Sequence, residues 1–185
     1  LLKEEFDLYR AQGKLHPLLI EYQVKAALFD DLEKLTTWRN NRAGVRWQEP
    51  QSGYTLFGAV DDILQFPDGK LAVLDYKSSG AREPTVYPSY EFQLEVSTFL
   101  LEKLGYPTAD FGYIAFYLAD KEDGFRGRLP FRGSLVEVPL NPKRVEAIFQ
   151  EGIKLTQQDK MPASGEECDL CRWFDEADEV TVEKA

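Results

Sequence analysis

The sequence is short of the residues that cross-link chains or bind soft metals. Its 185 residues include two cysteines, one histidine and one methionine. Two cysteines exclude a disulfide framework and agree with a reducing compartment, so a cytoplasmic protein is expected. A single histidine excludes any site built on several imidazoles. Cations are scarce as well: 22 Lys and Arg stand against 32 Asp and Glu, a net charge of −10. Lys and Arg drive phosphate binding, so this balance excludes a general, metal-free affinity for polyanions. No apolar run approaches the roughly 20 residues that a membrane helix needs, and no membrane partner is expected. Internal repeats, low-complexity stretches, a GxSxG elbow and a phosphate-loop signature are all missing too.

What is present is enough for a core. Hydrophobic residues make up 43% of the chain and aromatics 13%, which excludes a disordered polypeptide. A chain of this length buries roughly 70% of its unfolded surface. One domain over residues 1–165 is expected, followed by an acidic tail over 166–185. That tail holds eight acidic residues against Arg172 and Lys184, a net −6. Residues 121–144 run the other way, with six basic and three acidic positions, a net +3.

The chemistry concentrates in "GAVDDILQFPDGKLAVLDYKSSG", residues 58–80. "TLFGAVDDILQF" and "KLAVLDYKSS" read as two strands, and "PDG" separates them. Pro67 and Asp68 suit a type I turn, and Gly69 suits the left-handed position after it. This three-residue loop pairs positions whose numbers sum to 136. Asp61 then faces Asp75, Ala59 faces Lys77, and Asp61, Asp75 and Lys77 share one face while Asp62 points to the other. A two-residue loop would put Asp62 in the place of Asp61. Facing carboxylates repel by about 0.2–1 kcal/mol when exposed, and more when buried. A divalent cation between them reverses the sign. Oxygen ligands of this kind suit Mg²⁺ or Mn²⁺, and an adjacent ammonium at Lys77 suits hydrolysis of a phosphodiester. A solvated Asp/Lys ladder, contributing at most about 1 kcal/mol per pair, is the plain alternative.

"GAVDDI" followed by "VLDYKSS" resembles the core motif of the PD-(D/E)XK nuclease superfamily, most of all its RecB-type and CRISPR-associated exonuclease branch. The order is kept at Gly58, Val60, Asp61, Ile63, Asp75, Tyr76 and Lys77. The resemblance is clear over residues 13–105 and fainter in the tail. It implies that Asp61, Asp75 and the Tyr76 carbonyl bind the metal, Mg²⁺ or Mn²⁺, and that Lys77 is catalytic. It also implies a helix in which Gln93 touches DNA or the site, although Ser97 stands where the family carries a tyrosine. The family's upstream ligand is often a histidine or glutamate, for which "QGKLHPLLIEY" offers His16, with Glu21 as the alternative. A metal-dependent deoxyribonuclease follows, an exonuclease of repair, recombination or phage- and CRISPR-type DNA processing. The rivals are an inactive nuclease fold that binds nucleic acid or protein, and a nuclease module working with a helicase or other subunit.

The remaining elements follow from pattern. "PLLIEYQVKAALFDDLEKLTTW" has helical spacing at Leu19, Tyr22, Ala26, Phe29 and Leu32, and "NNRAG" breaks it. Ser89 is placed to cap a helix running to Leu104, ended by Gly105. "FGYIAFYLAD" and "SLVEVPL" read as strands, and Asn141 with Pro142 opens a last helix. The expected fold is α/β, a mixed central sheet flanked by helices in a restriction-endonuclease-like core of order α-β-β-α-β-β-α. "FRGRLPFRG" interleaves Arg126, Arg128 and Arg132 with Phe125 and Phe131, a pattern able to hold a backbone and stack on bases. The alternative is a solvated hairpin with its aromatics turned to the core. Cys168-x-x-Cys171 fits half a zinc site, a redox pair or plain packing. An iron–sulfur cluster, which the related nucleases often carry, usually takes four cysteines and is not expected with two.

Overall fold

The computed structural model describes residues 2–122, 124, 125, 127–160, 162–165 and 167–182. In chain order the elements are α1 (Leu2–Arg10), α2 (Pro17–Glu21), β1 (Ala27–Leu28), α3 (Leu32–Trp38), β2 (Val45–Gln48), β3 (Thr55–Gly58), β4 (Asp62–Gln65) and β5 (Leu71–Ser79). They continue with α4 (Pro88–Lys103), β6 (Phe111–Ala119), β7 (Phe131–Pro139), α5 (Lys143–Thr156) and α6 (Asp169–Val182). Two compact units result, Leu1–Phe149 and Gln150–Ala185. Among the described residues no helix is long and apolar enough to cross a membrane.

The first unit is built on a five-stranded mixed sheet in the order β1-β4-β5-β6-β7, with a separate β2–β3 ribbon. β4 and β5 run antiparallel, β5 and β6 parallel, β6 and β7 antiparallel. The parallel step needs a crossover, and α4 supplies it. A mixed sheet flanked by helices is therefore the architecture, as expected for a restriction-endonuclease-like core. β5 lies inside the sheet and is buried from Leu71 through Tyr76, an apolar run interrupted only by Asp75.

The hairpin register follows the turn chemistry. Asp62 pairs with Leu74 and Gln65 with Leu71, so facing positions sum to 136. Phe66 and Lys70 close the loop at 2.9 Å, and Gly69 takes φ +84°. Alternation along β5 divides the core. Leu71 and Val73 pack with Leu94, Leu100 and Leu101 of α4 on one face, while Leu74 and Tyr76 pack with Phe6 of α1 and Leu19 of α2 on the other.

Three expectations are corrected. Residues 55–66 are not one strand: the chain leaves its pairing with β2 at Gly58 and joins the main sheet only at Asp62. The backbone between them is held otherwise, with Val60 N–H donating to the Trp38 carbonyl at 3.1 Å. Ala59 and Asp61 consequently have no ladder partner in β5, whose pairing with β4 begins at Asp62 and Leu74, so the expected Ala59–Lys77 and Asp61–Asp75 facing pairs do not form. Residues 17–38 are not one helix either. Gln23 at φ +54° breaks it, and Ala27–Leu28 pairs with the edge of β4, which buries Leu28 and Phe29. A sheet edge offering both hydrogen bonds and burial outweighs helical spacing, because most helical stability comes from packing. Ser89 lies inside α4 rather than capping it; Tyr87 is the N-cap and Pro88 opens the helix. The helix α1 has no counterpart in the sequence reading.

Candidate active site

Asp75 sits at the middle of β5, on the face that packs against α4, and is 3% exposed. Lys77, two residues on, shares that face and brings its ammonium to 2.7 Å from Asp75 Oδ2. Gln93 of α4 reaches both: its Nε2 donates to Asp75 Oδ1 at 2.7 Å, and its Oε1 accepts from Lys77 Nζ at 3.0 Å. The Lys77 ammonium also lies 4.8 Å from the Tyr90 ring centroid, a cation–π contact one turn before Gln93. Ser97, at the family's tyrosine position, donates its hydroxyl to the Gln93 carbonyl at 3.0 Å. Gln93 is thus an orienting group of the Asp75–Lys77 pair.

Asp61 joins from the connection between β3 and β4. Its Oδ2 accepts from the Tyr76 N–H at 3.0 Å, and Lys3 of α1 lies 2.8 Å from its Oδ1. Burial raises the Asp75 pKa above the ordinary carboxylate range. The Lys77 ammonium works against that shift and the Asp61 charge adds to it. Asp75 Oδ2 is buried and faces the Lys77 ammonium at 2.7 Å, with no other partner among the described residues. A buried acceptor in this state, next to a second carboxylate, fits a hard cation. Mg²⁺ is typically held by one or two carboxylates with several waters retained, so Asp61 and Asp75 suffice. A closed cage is not formed: among the described residues no three His, Cys, Asp or Glu side chains group to hold an ion.

Asp62 is the opposite of its neighbour. It is fully buried on the far side and accepts from Arg10 Nη2 at 2.5 and 2.6 Å, Arg39 Nη2 at 3.0 Å and the Tyr76 hydroxyl at 2.7 Å. Burial, and then the Asp62 charge, hold the Tyr76 phenol well above its ordinary pKa, so it remains a donor. Asp62 therefore does not substitute for Asp61.

His16 is used elsewhere. Its Nδ1 caps α2 by accepting from Leu18 N–H at 3.2 Å, and its ring stacks on Phe6 with centroids 4.0 Å apart. Nε2 lies 3.5 Å from Glu5 without hydrogen-bond alignment. Burial lowers the imidazole pKa, with Glu5 opposing. The structure does not bring His16 into the Asp61–Asp75 pair, and Glu21 ends α2 as an exposed residue.

In the basic stretch, Arg126 lies outside the described residues. Arg128 is exposed; Arg132 donates to the Arg82 carbonyl at 2.6 Å and stays on the surface. Phe125 and Phe131 are 71% and 50% exposed, so these aromatics do not turn to the core. Cys168 and Cys171 stand one turn apart at the start of α6, where Cys168 Sγ accepts from the Cys171 N–H. Sequence reasoning missed Arg39 and Arg10. The only signal for them was the second aspartate itself, since a carboxylate buried opposite Asp61 needs cations.

Asp61 in the connection leading into β4, then Asp75 and Lys77 two residues apart on β5, with a glutamine from the following helix bonded to both, define a nuclease-type core. The chain belongs to the PD-(D/E)XK nuclease superfamily, whose family model matches residues 2–175. A comparison with curated proteins found no match.

Proposed function

We propose that this chain is a divalent-metal-dependent deoxyribonuclease of the RecB-type branch, an exonuclease acting in repair, recombination or phage- and CRISPR-type DNA processing. The observation that supports it is the Asp75–Lys77–Gln93 group closed by Asp61 at the Tyr76 N–H. Asp61, Asp75 and the Tyr76 carbonyl would hold Mg²⁺ or Mn²⁺. When bound, such a cation supplies Lewis acidity at a phosphate oxygen and lowers the pKa of bound water. Lys77 orients the attacking water or steadies charge developing on phosphate, and Gln93 with Tyr90 restricts the ammonium to that position. Arg128 and Arg132, with Arg126, would meet the DNA backbone and Phe125 and Phe131 its bases.

Incubating purified protein with end-labelled single- and double-stranded DNA in EDTA, Mg²⁺ or Mn²⁺ tests this reading. Metal-dependent cutting that Lys77→Ala lacks is the expected result. Absence of cutting under every metal, with both proteins binding DNA equally, would sink it in favour of an inactive binding module. Activity appearing only with an added helicase subunit would instead mark a module of a larger assembly.

A further inference from the structure

The Asp61 segment has no strand pairing. Besides the Val60 N–H on the Trp38 carbonyl and Lys3 on the Asp61 carboxylate, it is held by Arg39 and by Tyr76 of β5. Residues 59–61 lie between β3 and β4, outside both ladders. Arg39, the C-cap of α3, meets the segment there: its Nε donates to the Asp61 carbonyl at 2.7 Å. The same guanidinium gives Nη2 to Asp62 Oδ2 at 3.0 Å and Nη1 to Asp7 Oδ2 at 2.7 Å. Tyr76 makes a parallel bridge, with its hydroxyl on Asp62 and its N–H on the Asp61 carboxylate. Arg39 and Tyr76 thus close a ring through the fully buried Asp62, and Asp61 is gripped at its carbonyl by one and at its carboxylate by the other.

We propose that Arg39 is a positioning residue for the metal site, fixing the main chain of Asp61 to buried Asp62 so that the Asp61 carboxylate meets the cation beside Asp75. This rests on the metal-dependent reading above. A guanidinium is needed because one planar fork serves three acceptors in different directions, which a lysine ammonium on a flexible stem does not reproduce. Groups that orient metal ligands govern affinity as much as the ligands do. Arg10 supplies the matched comparison. It pairs with both oxygens of Asp62 and also bonds Asp7 and the Phe29 carbonyl, and none of these contacts reaches Asp61.

The test compares wild type, Arg39→Lys and Arg10→Lys by calorimetric titration with Mn²⁺, alongside thermal unfolding in EDTA. Both variants should melt earlier, since both disturb Asp62. Mn²⁺ affinity should fall about tenfold or more in Arg39→Lys and by less than about threefold in Arg10→Lys, in the range expected for a ligand's orienting partner. The half-saturating Mn²⁺ for DNA cleavage should move with it, while the rate at saturating Mn²⁺ largely recovers. If Arg39→Lys does not fold, Arg39→Gln, which keeps one donor group, gives the same readout. Equal Mn²⁺ affinity in the Arg39 and Arg10 variants, with wild type binding and cutting normally, overturns the positioning role alone. Wild type that neither binds Mn²⁺ nor cuts DNA overturns the metal-dependent reading and this inference with it.

Discussion

Asp61 and Asp62 are neighbours in sequence and opposites in environment. Asp62 is saturated: two guanidiniums and a phenol face a carboxylate with no access to water. On the other face Asp61 and Asp75 repel one another, and each is balanced by a single ammonium, Lys3 or Lys77. The buried charge is enclosed by two guanidiniums and a phenol, whereas Asp61 and Asp75 each have one ammonium and one neutral donor beside a second carboxylate. The register of β4 turns Asp62 away from Asp75, while the Tyr76 N–H holds the carboxylate of its neighbour Asp61 on the side of the connection.

The largest effect should come from breaking the saturated side. Asp62→Ala leaves Arg10 and Arg39 with only Asp7 as a shared carboxylate, and removing one partner of such a buried pair costs about 3–5 kcal/mol. Urea unfolding in EDTA measures it; a loss below about 1 kcal/mol, the scale of an exposed pair, would show that Asp62 behaves as a surface group. On the opposite side, Lys77→Ala should lower DNA cleavage about a hundredfold or more, the scale for losing one charge-stabilising donor, with little change in melting temperature.

A smaller effect sharpens the contrast by its sign. Asp75 has a raised pKa, so its contribution to stability is present below the unfolded value and lost as pH rises through the folded one. At neutral pH its ionised form strains the apoprotein. Asp75→Asn should therefore raise the melting temperature in EDTA, by about 2–4 °C for each kcal/mol relieved, while abolishing cleavage. A lower melting temperature would mean that the Lys77 pairing outweighs the burial. The smallest effect concerns His16, whose folded pKa lies below 6.5. Its contribution is present above that value and lost as pH falls towards the folded one, so melting temperature should drop on acidification below 6.5. His16→Asn, which keeps an N-cap acceptor, should flatten that drop.

The site was more legible than the scaffold around it. Pro67, Asp68 and Gly69 dictated the loop, the loop dictated the register, and the register put Asp62 on the face opposite Asp75 and Lys77. Local chemistry suffices there, because turn conformation and alternation are short-range. It failed where a distant partner decided the outcome. The helical spacing of residues 17–38 gave way to an edge pairing with β4, and the run through Gly58 to Asp62 was split between two sheets. His16 was drawn from its candidate role into a cap and an aromatic stack with Phe6, a residue of a helix that the pattern did not announce.

By itself, the sequence determined the hairpin, the faces on which its charges lie and the glutamine that follows, since each depends on residues within a few positions. Tertiary structure alone decided which carboxylate is enclosed by two guanidiniums and which is balanced by single ammoniums. That choice rests on Arg10 and Arg39, 52 and 23 residues away from Asp62 along the chain. Only folding brings their guanidiniums to one face of β4 and leaves the other to Asp75 and Lys77.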